Sequence, residues 1–395
     1  MRHAMTLVLA QLLGLAVWLV NAESTSASAT TPPKAPIVVV DLAKLGWGPP
    51  RFESNRSFFK DFTLAKLFAV DVNTRIVFLN EDVIVAYHTK QEGKDWRTAP
   101  RFIEAFFIRA KDGSLLSTHT WPTRPRKAMD DLIDSEARLI PLDGDRFLVV
   151  ANGAMTLYGS NLDWLRERKL EPSTQSDIWS AQSIPGGKFI VLRHGGKSEP
   201  VRYLWLTSDT LEIKHEMQGK GDDNDAIGAV VADENSIFER TRAGIRSIDR
   251  NHRVKTICGD PLCRESGNFH VLSGHQLGWS GESGIAIIDT ERGGIAWSKT
   301  VQPRYRNEFQ FGQMCSAISG TRFVLWVTAN KKALFDGVEV RSLPTILVYD
   351  FTRQQDHPVV IRMKPVEGWW DSALSPDGTK LALFDGAKVQ IYSLE

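Results

Sequence analysis

The sequence predicts an all-β fold, a seven-bladed β-propeller with four antiparallel strands in each blade. Three observations support this prediction. A turn between two apolar runs occurs seven times in the 395 residues, and a further apolar strand that ends in a turn residue follows each copy. The last repeat stops one strand short, and a suitable strand exists near the other end of the chain.

The first half of each repeat is a tight turn between two apolar runs. Gly, Asp, Asn and Pro gather at its centre, because a tight hairpin needs a positive or a preset φ there. The seven copies lie at residues 78–87, 141–150, 183–192, 231–240, 271–280, 317–326 and 373–384.

The second half of each repeat is an apolar strand whose last residue is usually Asp. These strands lie at residues 106–112, 155–159, 203–207, 245–249, 285–289, 346–350 and 389–393. A polar turn and another strand usually follow. Four short strands in a unit of about 40–50 residues are typical of a propeller blade. Two β-sandwich domains are the alternative, but they would not explain the even spacing.

The seventh unit lacks its outer strand, since the chain stops at Glu395 after the third strand. Residues 37–42, IVVVDL, have the composition of that missing strand. We expect them to pair with residues 389–394, because this pairing closes the ring and removes an open sheet edge. Both ends of the propeller are therefore expected in one blade.

The best-defined repeat is LSPDGTKLALFDGAKVQIYSL at 374–394. The chain resembles secreted bacterial propellers with SPDG-type repeats, such as the TolB-like, YVTN-repeat and amine-dehydrogenase β-chain-like groups. The resemblance covers residues 37–395 in architecture, but only the last blade matches the SPDG signature closely. The Gly-His and Trp-Asp markers of the WD-repeat family are missing. The resemblance implies the fold and no particular activity, since these groups share a fold across many functions.

Residues 1–22 have the pattern of a secretory signal peptide. Arg2 precedes an apolar core at 5–20, and Val20 and Ala22 match the small-residue rule for cleavage after Ala22. This core is short for a membrane span of about 20 residues. An uncleaved anchor is the alternative. We expect an exported protein, periplasmic or extracellular, with no membrane span after cleavage.

The rest of the chain divides into two parts. Residues 23–36 are rich in Ser, Thr, Ala and Pro and predict a disordered linker. Residues 37–395 form the β-propeller.

The chain has 48 basic and 47 acidic side chains and a net charge of +1, which argues against a nucleic-acid partner. The 42% hydrophobic content excludes a disordered chain.

Four long connections fall on one face of the predicted propeller. They lie at 43–74, 88–104, 121–136 and 329–344, around neighbouring blades six, seven, one and two. Trp and Arg are enriched at binding hot spots. We therefore predict a surface that binds a protein, peptide or glycan partner; the alternative is that the aromatic side chains pack the loops down. The predicted contact residues are Trp47, Trp96, Arg97, Arg101, Trp121, Arg124, Arg126, Phe335, Trp369 and Trp370.

Cys258 and Cys263 flank a Gly-Asp-Pro turn, and an exported protein meets an oxidising compartment. We predict a disulfide between them. A zinc site that also uses His252 or His270 is the alternative, although the spacing is not a standard zinc pattern. Cys315 is expected to be a buried free thiol, with intermolecular pairing left open.

Other polar clusters can be interpreted either as solvent-exposed structural segments or as functional sites. Residues 222–225, DDND, could hold calcium but lack EF-hand spacing, and a solvated turn is favoured. Asp130, Asp131, Asp134 and Glu136 could supply a general acid or base, although a solvated helix turn is favoured. His194, His270 and His275 have no spacing that indicates a shared metal.

The familiar catalytic and cofactor signatures are absent from the sequence, including G-x-S-x-G, the phosphate loop, H-E-x-x-H, the dinucleotide fingerprint and the Asp-box. We predict no catalytic residue, metal site or cofactor. The leading hypothesis is a non-catalytic binding platform. The alternatives are a propeller enzyme of hydrolase, lactonase or lyase type, or a redox partner, with its site at the top of the channel, and an envelope component tethered through 23–36.

Overall fold

The computed structural model describes most of the propeller body. The described residues are 34–47, 75–92, 100–123, 138–142, 145–151, 153–169, 180–184, 188–194, 202–218, 231–265, 267–272, 275–301, 305, 308–316, 321–350, 352, 357–363, 371–385 and 387–395. The predicted signal peptide 1–22 lies outside them. So does the linker 23–36 except for residues 34–36, where Lys34 donates its backbone N–H to the Val360 carbonyl at 3.2 Å.

The described chain is built almost entirely of short strands. The first seventeen are β1 (Val38–Asp41), β2 (Arg75–Phe78), β3 (Val83–Gln91), β4 (Arg101–Arg109), β5 (Leu115–Thr123), β6 (Arg138–Leu142), β7 (Arg146–Ala151), β8 (Ala154–Gly159), β9 (Trp164–Lys169), β10 (Ser180–Ser183), β11 (Phe189–His194), β12 (Arg202–Thr207), β13 (Ile213–Gln218), β14 (Val231–Ala232), β15 (Ser236–Thr241), β16 (Gly244–Asp249) and β17 (Val254–Cys258).

A 3-10 helix at Leu42–Leu45 follows β1. A one-turn α-helix, α1 (Pro261–Arg264), follows β17 and precedes the remaining strands. These strands are β18 (Gly267–Val271), β19 (Gln276–Gly281), β20 (Gly284–Asp289), β21 (Ile295–Thr300), β22 (Phe309–Ser316), β23 (Arg322–Ala329), β24 (Ala333–Phe335), β25 (Val338–Val340), β26 (Thr345–Asp350), β27 (Val359–Arg362), β28 (Asp371–Leu374), β29 (Lys380–Phe384) and β30 (Lys388–Ser393).

The strands pair into seven four-stranded antiparallel sheets, which are the seven predicted blades. Blade 1 is β2–β5, blade 2 is β6–β9, blade 3 is β10–β13, blade 4 is β14–β17 and blade 5 is β18–β21. Blade 6 is β22–β23–β26–β27 with the inserted hairpin β24–β25, and blade 7 has the order β28–β29–β30–β1. Within the described ranges, no helix is long and apolar enough to cross a membrane.

The recurrent Asp at the end of the third strand has a local structural role. The Oδ1 of Asp289 accepts the backbone N–H groups of Glu291 and Arg292 at 3.0 and 2.9 Å. Asp249 accepts those of Asn251 and Arg253 in the same way. A short side-chain acceptor thus closes the turn to the outer strand, as Asx-turns do.

Packing between blades forms a closed cycle. Seven buried apolar clusters each take side chains from two neighbouring blades. Trp205 of blade 3, for example, packs with Ile237 of blade 4. The cluster between blades 7 and 1 contains Phe384 and Ile76, so the last blade in the sequence packs against the first.

The N-terminal strand completes the blade that contains the C-terminal strand. β1 pairs antiparallel with β30, with Val38 opposite Ile391 and Asp41 opposite Lys388. One side of β1 is buried: Val40 is 5% exposed, while its neighbour Val39 is 54% exposed. β1 thus covers the edge of β30, as the incomplete seventh repeat predicts.

Candidate functional site

The top face of the propeller is the face where the inner strands begin, and extra structure lies there on blades 1 and 6. In blade 1, β3 continues four residues beyond Tyr87, the partner of Arg75 at the start of β2. Four strand residues span about 13 Å. In blade 6, the hairpin β24–β25 is inserted between β23 and β26, at the same end of the blade. Blades 1 and 6 flank blade 7, in agreement with the predicted arc.

The mouth of the central channel carries a buried carboxylate. Asp371 is the first residue of β28 and is 4% exposed. Its Oδ2 accepts the backbone N–H of Ile76 at 2.8 Å, and its Oδ1 lies 3.9 Å from a guanidinium nitrogen of Arg75. Burial raises the pKa of Asp371 to about 6, although Arg75 and the Ile76 N–H favour the ionised form.

Tyr87 and Arg138 extend this cluster toward blade 2. Tyr87 is 4% exposed, and its hydroxyl accepts a hydrogen bond from the backbone of Leu139. Burial raises the pKa of Tyr87 and lowers the pKa of Arg138, the first residue of β6. Arg75 lowers the pKa of Arg138 further by charge repulsion. Tyr87 lies opposite Arg75 in the β2–β3 register and bonds the residue after Arg138, so it links the starts of the inner strands of blades 1 and 2.

These four residues were not singled out from the sequence, and a signal for them existed. Arg75, Arg138 and Asp371 each begin the inner strand of a blade, at equivalent places before the repeated turn. Charged residues at that place occur in three consecutive blades around the ring. An alignment of the repeats by position, rather than by apolar pattern, would have found them.

Trp47 is in the core, which corrects the prediction that it forms part of an exposed binding surface. It is 6% exposed and packs between blades 7 and 1, with its ring centroid 4.3 Å from that of His88 and 5.2 Å from that of Phe106. His88 is fully buried, and its Nε2 lies 2.9 Å from an Oε of Glu104. The 3-10 helix at Leu42–Leu45 precedes Trp47, which donates its backbone N–H to the Leu42 carbonyl at 3.0 Å.

Three further predicted contact residues are also buried. Trp121 donates its indole N–H to the Tyr158 hydroxyl at 3.0 Å and packs between blades 1 and 2. Phe335 is 1% exposed and packs on Phe309. Arg101 is 4% exposed. These side chains fix the extensions to the propeller, which was the alternative interpretation, and do not themselves form an exposed surface.

The other six predicted contact residues lie outside the described residues. They are Trp96, Arg97, Arg124, Arg126, Trp369 and Trp370. The acidic residues 130–136 and the DDND run at 222–225 also lie outside them.

The metal-binding alternatives from the sequence concerned the cysteine pair with His252 or His270, and the DDND run at 222–225. The described part of the chain contains no group of three or more His, Cys, Asp or Glu side chains that could hold a metal ion. His275 lies at an exposed turn with Nε2 3.2 Å from a carboxylate oxygen of Glu291. The side chains of His194, His270 and Cys315 are outside the described set.

The predicted disulfide between Cys258 and Cys263 is present, with the two Cα atoms 6.1 Å apart. Cys258 ends β17, and the Asp260 side chain accepts the Leu262 N–H and caps α1, which carries Cys263. Both sulfur-bearing residues are buried between blades 4 and 5 beside Trp279. The disulfide joins the outer strand of blade 4 to the connection that leads into blade 5.

Replacing Cys258 by Ser is expected to lower the free energy of unfolding by about 2 kcal/mol, the chain-entropy value for so short a loop. Urea unfolding followed by tryptophan fluorescence measures this loss. Reduction with dithiothreitol should lower the free energy of unfolding of the unmodified chain by the same amount. It should leave the free energy of unfolding of the variant unchanged. A variant as stable as the unmodified chain would contradict a stabilising role for the bond.

Comparisons with known proteins identify the fold and no family. No family model matches the chain, and no curated protein sequence matches it. The WD40 domain of Neurospora crassa Pan2 is similar in structure, with a TM-score of 0.52, 10% identity, and 92% of this chain and 97% of that chain covered. BamB from Moraxella catarrhalis has a TM-score of 0.40 and 12% identity over 82% of this chain and 86% of its own. The chain is a seven-bladed β-propeller, and identities this low show the fold alone.

Proposed function

We propose that the protein is exported and acts as a non-catalytic binding platform, with a protein, peptide or glycan partner held on its top face around blades 6 to 2. The observation that carries this proposal is the extra structure on blades 1 and 6, at the top end of the described strands. Binding residues concentrate where a rigid scaffold holds additional segments.

The β24–β25 hairpin illustrates how such a segment is held. Phe335 is buried against Phe309 and Phe311, while the preceding residue, Leu334, is 64% exposed. The hairpin is also tied by Lys299, whose Nζ lies 2.7 Å from Asp336 Oδ1. Leu334 is therefore an apolar side chain presented at a fixed position, which limits the entropy lost when a partner binds.

Export is supported by two features of the chain. Residues 1–22 have the charge, length and terminal small residues of a cleaved signal peptide. The Cys258–Cys263 disulfide is of a kind that persists in oxidising compartments. Both agree with a periplasmic or extracellular location.

Site-specific photo-cross-linking tests the proposal. A photoreactive amino acid in place of Leu334 is expected to give a discrete adduct in intact cells that naturally make the protein, recovered in the exported fraction. The matched control replaces Val254, which is 58% exposed at the start of β17 on the opposite face. We expect no discrete adduct there.

Two outcomes would contradict the platform. Equal yields of adduct at Leu334 and Val254 would show that labelling results from random collisions and not from binding at a specific surface. A complete lack of adducts at Leu334 in the exported fraction would exclude a macromolecule bound at the β24–β25 hairpin.

A further inference from the structure

Charged residues begin the inner strands of three consecutive blades at the top of the channel. Asp371 opens β28 in blade 7, Arg75 opens β2 in blade 1 and Arg138 opens β6 in blade 2. Inner strands converge around the channel axis, so these residues come from distant parts of the sequence to one rim. Arg75 retains 36% of its side-chain exposure, and Arg138 is partly buried.

In the part of the chain that the structure describes, the starts of these three strands carry one carboxylate and two guanidinium groups. The Asp371 carboxylate is engaged by the Ile76 N–H and by Arg75. Arg138 has no carboxylate partner among the described residues; the groups that affect its charge are Tyr87 and Arg75. A partly buried guanidinium without a carboxylate partner is unfavourable unless an anion accompanies it.

We propose that Arg138, with Arg75 beside it, forms an anion-binding site at the top of the channel that takes a carboxylate or phosphate group of a ligand. The planar guanidinium fork matches the oxygen geometry of both groups. The buried side chain of Tyr87 lies opposite Arg75 in the strand register, and its hydroxyl bonds the backbone of Leu139, the residue after Arg138. This site specifies the ligand chemistry that the proposed binding platform would recognise. It rests on the proposed function only for its biological role.

Calorimetric titration of the full mature chain tests the site with two probes. Inorganic phosphate and succinate, each in chloride buffer of low ionic strength, represent the two sources of the anionic group. We expect binding of at least one probe. Arg138→Gln should weaken that binding about tenfold or more, the loss expected for a charge-assisted hydrogen bond. Binding of only one probe assigns the site to that group.

The control removes an equal charge elsewhere. Arg292 is 90% exposed at the turn between β20 and β21 on the opposite face, and Arg292→Gln should leave the affinity within twofold. If Arg138→Gln does not fold, Arg138→Lys keeps the charge without the fork and should still weaken binding severalfold. The proposal is overturned if neither probe binds the unmodified chain, or if the Arg138 and Arg292 variants lose equal affinity. The Leu334 cross-link does not depend on either result, so failure of this site and failure of the platform are distinguishable.

Discussion

Replacing Val40 by Asp is expected to lower the free energy of unfolding by about 3–5 kcal/mol, the cost of an uncompensated buried charge. Val40 is 5% exposed and packs in the cluster between blades 7 and 1. Its Cγ2 also lies against Gly113, in the β4–β5 turn of blade 1. A carboxylate there has only apolar neighbours in the cluster and would detach β1 from both blades. The midpoint of urea unfolding, followed by tryptophan fluorescence, measures the loss.

The adjacent residue supplies the control for this experiment. Val39 lies on the same strand and is 54% exposed, because successive side chains of a strand point to opposite sides. Val39→Asp should change the free energy of unfolding by less than about 0.5 kcal/mol. Equal losses for the two variants would contradict the orientation of β1 and its role as the outer strand of blade 7.

Replacing Trp47 by Ala is expected to lower the free energy of unfolding by about 3–5 kcal/mol, as for other buried Trp residues. The ring contacts His88 and Phe106 of blade 1 and Phe384 of blade 7, so its removal leaves a cavity across the junction of the first and last blades. The same urea experiment measures the loss, and the thermal midpoint should fall with it.

Trp164 distinguishes the loss of packing from the loss of an aromatic residue in general. It lies on the outer strand β9 and is 63% exposed, so Trp164→Ala should cost less than about 0.5 kcal/mol. A Trp47→Ala variant of unchanged stability would restore the surface role that the sequence pattern indicated for this residue.

The blade pattern, the turns and the short disulfide could be predicted because each depends on nearby residues. Asp289 closes its turn with the backbone N–H groups of Glu291 and Arg292, and Cys258 reaches Cys263 across one capped turn. The incomplete seventh repeat likewise predicted the pairing of β1 with β30, since an open edge is unfavourable.

The burial of a side chain in a connection between strands could not be predicted in this way. The pattern around Trp47, Trp121 and Phe335 gave the correct face of the propeller but not the correct burial. An aromatic residue in a connection can point outward or pack on a neighbouring blade, and the choice depends on the shape of that blade. Sequence periodicity describes a strand and its own turn, and it contains no information about the side chains of the next blade.

By itself, then, the amino-acid sequence determined the number of blades, their strands and the strand that completes the last one, because strand alternation and turn chemistry are local. Only the tertiary structure decided that Trp47 belongs to the core and that Asp371, Arg75 and Arg138 share one rim. The physical reason is the circular arrangement of blades, which brings residues hundreds of positions apart to one channel mouth and sets their burial and charge by neighbours that no local pattern specifies.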